Sequence, residues 1–161
     1  MDVTVHMTDG AQIETTPEEM AEMAGSTFAA SSRVPEAAGE GFDLSAWFAA
    51  LTADRAESAD TAFPAPTHLI VRAADEFQAV IPWSQLKEAF FLCALNGSPL
   101  PKGGPLRLYV PDGTSACLNV KSVTFVRFAA DPGLGQDAVY GFRNEISPES
   151  LSSGFKAGSG R

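Results

Sequence analysis

Cysteine is scarce in this chain. Only Cys93 and Cys117 occur in 161 residues, and they lie in different segments. No disulfide framework can be built from them, and reduced thiols are the default. Histidine is as rare: His6 and His68 stand on separate apolar runs, with no His or Cys at ligand spacing, so neither seeds a metal site. Uninterrupted apolar runs of about 18 residues are missing, which excludes a membrane-spanning helix. The start, Met1 to His6, lacks the basic stretch and apolar core of a signal peptide, so a cytoplasmic location is expected. There is no internal repeat, no Gly-x-Ser-x-Gly elbow and no Walker loop. Basic residues are outnumbered, 11 Lys and Arg against 20 Asp and Glu, for a net charge of −9. That balance would repel a phosphate backbone and argues against nucleic acid as a partner. It also keeps a soluble protein dispersed.

What is present suffices for one core. A 161-residue chain that is 45% hydrophobic is most simply one domain, expected over residues 1–146. The richest stretch runs from Thr67 to Phe128. His68–Val71 and Phe77–Ile81 are apolar runs joined by Asp75-Glu76, the pattern of a hairpin. Pro82 stops the second strand, and Trp83 to Ala89 carries apolar residues at helical spacing, which predicts a short helix. Phe90–Leu95 is a third strand, closed by the strong turn signal Asn96-Gly97. Leu106–Val110 alternates between faces, placing Arg107 outward, and Val123–Phe128 is the last strand of the core.

Upstream, Val3, Val5 and Met7 alternate with Thr4 and His6, predicting a strand paired with Gln12–Thr15 across Asp9-Gly10. Thr16-Pro17-Glu18-Glu19 begins a helix: Thr16 caps, Pro17 suits the first position, and Glu19 completes a capping box. Gly25 ends it. Residues 25–41 are small and polar, predicting mostly loop with a short strand near Thr27–Ala30. Asp43 then caps a helix with Leu44, Trp47, Phe48 and Leu51 on one face. Ala53–Pro66 reads as a polar linker. Asp131–Gly135 is a turn, a last ordered piece is expected in Ala138–Ile146, and residues 147–161 hold too little apolar surface to order themselves. The fold class expected is α+β, a mixed or antiparallel β core with a few short helices.

The order strand, "ADEF", strand ending in Ile81-Pro82, short helix, then "LNGSPLPKGGPLRLYVP" resembles the molybdopterin-binding domain of the sulfite-oxidase family. That family shows an "ADGY" turn, a Leu-Pro-Leu lead into a helix, Met-Asn-Gly-Glu-Pro-Leu-Pro, and Gly-Gly-Pro-Leu-Arg-Leu-Val-Val-Pro. The resemblance covers about Phe42 to Phe128 and is weaker over Val3–Met23. It implies a molybdopterin cofactor whose molybdenum is held by a cysteine in the segment after the first helix, a soft ligand suited to the metal. Here that segment reads GSTFAASSRV, residues 25–34, and has no cysteine; Ser31, Ser32 and Arg33 stand in its place.

The resemblance also implies cofactor contacts from a Lys-Ser-Val-Lys-Trp-Leu motif. Here it reads Lys121-Ser122-Val123-Thr124-Phe125-Val126, retaining Lys121 and Ser122 but losing the second lysine. Cys117 lies just before, in the loop from Pro111 to Val120, where a neighbouring lysine can depress a thiol pKa. Cys93 reads as a buried hydrophobe. The candidate cofactor-binding residues are therefore Lys121, Ser122, Cys117 and Arg33, with no metal ligand set and no assignable catalytic residue. Any retained cleft is expected between residues 25–34 and the loop 111–121. Three readings follow: a non-catalytic module binding a pterin or a protein partner, an active oxidoreductase using Cys117 or a cysteine from another subunit, and a purely structural domain.

Overall fold

The computed structural model describes residues 2–56 and 64–142. In chain order the strands are β1 (Val3–His6), β2 (Gln12–Thr15), β3 (Phe28–Ala29), β4 (Glu40–Asp43), β5 (His68–Ala73), β6 (Phe77–Pro82), β7 (Phe90–Leu95), β8 (Ser98–Pro99), β9 (Arg107–Tyr109), β10 (Val123–Ala129) and β11 (Val139–Phe142). Helix α1 (Pro17–Ala24) follows β2, and α2 (Leu44–Ala56) follows β4. Two sheets result. One has the order β11-β6-β5-β10-β1-β2, antiparallel except for the parallel pair β1 and β10. In the other, β3, β4, β7 and β8 follow in order and β9 also pairs with β7. Two helices with largely antiparallel sheets make an α+β architecture.

Local chemistry accounts for most boundaries. Thr16 Oγ1 accepts the Glu19 N–H at 3.2 Å while Glu19 Oε1 accepts the Thr16 N–H at 3.2 Å, the reciprocal pair that starts α1. Asn96 and Gly97 both take positive φ, 53° and 78°, the conformation a two-residue hairpin needs. The Glu40 carboxylate accepts both of their backbone N–H groups, at 3.2 and 2.9 Å. Asp43 ends β4, and its Oδ2 accepts the Ala46 N–H at 2.8 Å, which caps α2.

The core lies between the two sheets and under α2. Trp47 is 1% exposed and touches rings from both sheets, Phe42 and Phe91 on one and Phe128 on the other, at centroid distances of 6.2, 5.9 and 5.5 Å. Val3, Val5, Leu69, Val71, Ile81 and Val126 fill the sheet face below. His68, also buried, is bonded at 2.8 Å to Thr67 Oγ1 and at 2.7 Å to the Gly135 carbonyl, the satisfied core histidine expected of a lone His.

Several expectations need correction. Trp83–Ala89 is not a helix: only Trp83–Gln85 forms a 3-10 turn. The Leu86 and Ala89 side chains are buried and their N–H groups close short turns to Trp83 and Leu86, so the apolar spacing reflects burial from a turn. Residues 25–41 are less of a loop than their composition suggests, because β4 begins at Glu40 and pairs with β7. Gly41 suits that place for a steric reason. A Cβ there would stand 2.6 Å from the Phe91 carbonyl oxygen. Helix α2 runs on to Ala56, into the expected linker. Strand β9 keeps only Arg107–Tyr109 of the expected Leu106–Val110, and the last ordered piece is Val139–Phe142 within the described residues. The expected frayed tail, 147–161, and residues 57–63 of the linker lie outside the described residues.

Candidate functional site

Arg33 follows a 3-10 turn at Ala30–Ser32, whose Ala30 carbonyl accepts the N–H groups of both Arg33 and Val34. This turn hangs on the short β3–β4 pair and reaches back over β7. Arg33 Nη1 donates to Asp43 Oδ1 at 2.7 Å and to the Glu88 carbonyl at 3.1 Å, with Glu88 Oε1 3.7 Å from Nε. Its guanidinium carbon sits 4.3 Å from the Phe28 ring centroid, a cation–π contact. Arg33 thus fastens residues 25–41 to the body.

Opposite lies the loop 110–120. Asn119 Oδ1 accepts the Val110 N–H at 2.8 Å, and Leu108 N–H donates to the Val120 carbonyl at 2.8 Å, so the loop is closed at its neck. Ser115 Oγ accepts the Cys117 N–H at 3.0 Å and starts the 3-10 turn Ala116–Leu118. Thr114 N–H donates to Gln85 Oε1 at 3.2 Å, tying the tip to the turn after β6. Leu118, fully buried, pins the loop to the core.

Between these two pieces is an open cleft of about 340 Å³, at the small end of ligand pockets. Arg33, Glu36, Gly113, Ser115 and Asn119 line it together with Val34 and Val110. Arg33 Nη2 has no hydrogen-bond partner among the described residues, the Asn119 amide nitrogen retains its donors, and the Ser115 hydroxyl keeps its proton. The lining is thus three donor groups and one carboxylate, Glu36, on a partly apolar wall.

The candidate residues are only partly gathered. Arg33 lines the cleft. Cys117 is exposed on the far wall's loop but is not among the lining residues. Lys121 and Ser122 stand past the neck of the loop and do not line it either. Ser122 takes a left-handed φ of 56°, donates its N–H to the Gly103 carbonyl at 2.9 Å and accepts the Ala74 N–H at 3.0 Å. Its backbone is a junction between the Gly103 loop and the hairpin end. Lys121 is exposed beside it.

Asn119 and Ser115 were not singled out in sequence. A loop Asn beside a strand is an ordinary turn residue, and nothing at that spacing marks an amide aimed into a cleft. Cys93 is half-buried, with Sγ 3.6 Å from the Glu40 carbonyl, and burial together with the nearby Glu40 and Glu18 charges pushes its thiol pKa up to about 11. Such a thiol is a poor nucleophile and a poor metal ligand. Among the described residues no group of three or more His, Cys, Asp or Glu could hold a metal ion. No described helix is long and apolar enough to cross a membrane. The lining offers three hydrogen-bond donor groups and one carboxylate, and it contains no thiol. Compared with protein-family models, curated proteins and solved structures, the chain matches none.

Proposed function

We propose that the chain is a non-catalytic binding module of the molybdopterin-domain type, which holds a pterin in the cleft between residues 33–36 and 110–119. One observation carries this reading. Arg33 and Val34 of the segment 25–34 face Gly113, Ser115 and Asn119 of the 110–120 loop across a single cleft, whose lining holds three donor groups, the Glu36 carboxylate and no thiol. Arg33, Asn119 and Ser115 would receive the acceptor edge of the ring, and Val34 and Val110 would flank it. Lys121 would meet only a phosphate tail that reached past the loop. Cys117 stands outside the lining, which weighs against an oxidoreductase built on that thiol.

The test is calorimetric titration with molybdopterin, and in parallel with inorganic phosphate, of wild type, Asn119→Asp and Lys121→Ala. Asn119→Asp keeps an acceptor for the Val110 N–H, removes the amide donors and adds a negative charge to the lining. The reading predicts that it weakens pterin binding about tenfold, the worth of one good charge-free hydrogen bond in a desolvated site. Lys121→Ala, outside the lining, should weaken molybdopterin binding less than Asn119→Asp does. Equal pterin affinity in wild type and Asn119→Asp, or no binding to either, would count against the cleft.

A further inference from the structure

The first 32 residues contain Asp2, Asp9, Glu14, Glu18, Glu19 and Glu22, and no Lys or Arg at all. The same stretch holds all four methionines of the chain, Met1, Met7, Met20 and Met23. The fold brings part of both sets to one place. Where α1 and α2 lie against the sheet's β2 edge, there is a cleft of about 410 Å³. The buried Val5, Met20, Trp47 and Leu51 form its apolar floor, and Ile13, Met23, Glu14, Glu19 and Glu22 form the accessible wall. Met23 is 37% exposed, one of the few large apolar side chains left in solvent among the described residues. Glu19 is held by the cap of α1 and Glu14 accepts from Thr4 Oγ1 at 2.9 Å, so the carboxylates are placed by neutral groups. No cation of the described residues lies within ion-pair distance of Glu14, Glu19 or Glu22. Strand β2 pairs only with β1 among the described residues and leaves the sheet edge open.

From this we infer that the β2–α1–α2 cleft docks a basic amphipathic segment of a protein partner. The occupant follows from the complement of the wall. Its apolar side chains pack on Ile13 and Met23 over the buried floor, and Lys or Arg on its flanks meet Glu14 and Glu22. Methionine suits such a seat because its flexible thioether adapts to differing partner side chains. An apolar helix face laid into a groove is a recurrent mode of peptide recognition. A second copy of this chain is a poor occupant, since both surfaces carry the same excess of negative charge. The site is separate from the pterin cleft and does not depend on it.

The test titrates the full chain with a short synthetic Leu/Lys peptide whose leucines recur at helical spacing, and with its Leu/Glu counterpart. Calorimetry gives affinity, and Trp47 in the cleft wall offers a fluorescence signal. The Leu/Lys peptide should bind and the Leu/Glu peptide should not. Glu14→Lys combined with Glu22→Lys should weaken binding about tenfold or more, as should Met23→Ser, while melting temperatures stay close to wild type because these side chains are at the rim. Binding that is absent, equal in the variants, or shared by the Leu/Glu peptide would overturn the inference. Self-association in sedimentation that Met23→Ser abolishes would assign the cleft to a second copy and overturn it equally.

Discussion

Arg33 and Asp43 are joined by a 2.7 Å ion pair, and the second oxygen of Asp43 caps α2 through the Ala46 N–H. One carboxylate therefore holds both the wall of the cleft and the start of the helix that carries Trp47. Asp43→Ala removes cap and pair together and should cost about 1–3 kcal/mol. Asp43→Asn keeps a capping acceptor and should cost less. Urea unfolding of the two variants checks this, and equal losses would show that the cap contributes nothing.

Trp47 is the keystone between the sheets. Trp47→Ala should cost about 3–5 kcal/mol, the usual range for truncating a large buried aromatic. A loss below about 1 kcal/mol in urea unfolding would mean that α2 does not dock where Trp47 meets Phe91 and Phe128.

Gly41 leaves room for nothing else. A Cβ would sit 2.6 Å from the Phe91 carbonyl oxygen and 2.9 Å from Phe90 Cδ2. One contact is backbone within a paired strand and the other a fully buried ring, so neither yields easily. Gly41→Ala should destabilise by about 1–3 kcal/mol despite adding a single methyl group. A neutral effect in thermal melts would show that β4 and β7 can separate.

Much of this was legible in the chain itself, and the failures have causes. The capping box at Thr16 and Glu19, the Asn96-Gly97 hairpin and the strands through His68–Val71 and Phe77–Ile81 depend on contacts between neighbours in sequence. Local rules reach such contacts. Strand β4 was not readable, because Glu40-Gly41-Phe42-Asp43 becomes a strand only through pairing with β7, some fifty residues on. Trp83–Ala89 misled because its apolar residues are buried by tertiary packing while the backbone turns. At the site, a cleft was expected between residues 25–34 and the 111–121 loop; Arg33 lines the cleft found there, whereas Cys117, Lys121 and Ser122 do not. The donors Asn119 and Ser115 were not foreseen, since side-chain direction within a loop is set by the neck hydrogen bond to Val110.

The two thiols should behave differently. Cys117 is exposed, whereas the Cys93 thiol is raised to about 11 by burial and by Glu40 and Glu18. A disulfide reagent at mildly alkaline pH should label Cys117 quickly and Cys93 only slowly. Because the folded pKa of Cys93 lies above its ordinary 9.0, the unfolded chain loses this proton first. The contribution to stability is whole below pH 9.0 and is lost as pH rises through about 11. Cys93→Ala should flatten the decline of stability in that window, seen in urea midpoints at rising pH. An unchanged slope would remove Cys93 as its source.

We propose a pterin-binding cleft that holds no metal ligand. It is tested most directly by analysing the cofactor content of protein purified from a host able to make molybdopterin. Pterin fluorescence after oxidative release and molybdenum by mass spectrometry are measured on the same sample. The account predicts pterin without stoichiometric molybdenum, and less pterin in Asn119→Asp. Molybdenum bound one to one, and lost in Cys117→Ser, would contradict it and restore an oxidoreductase built on that thiol.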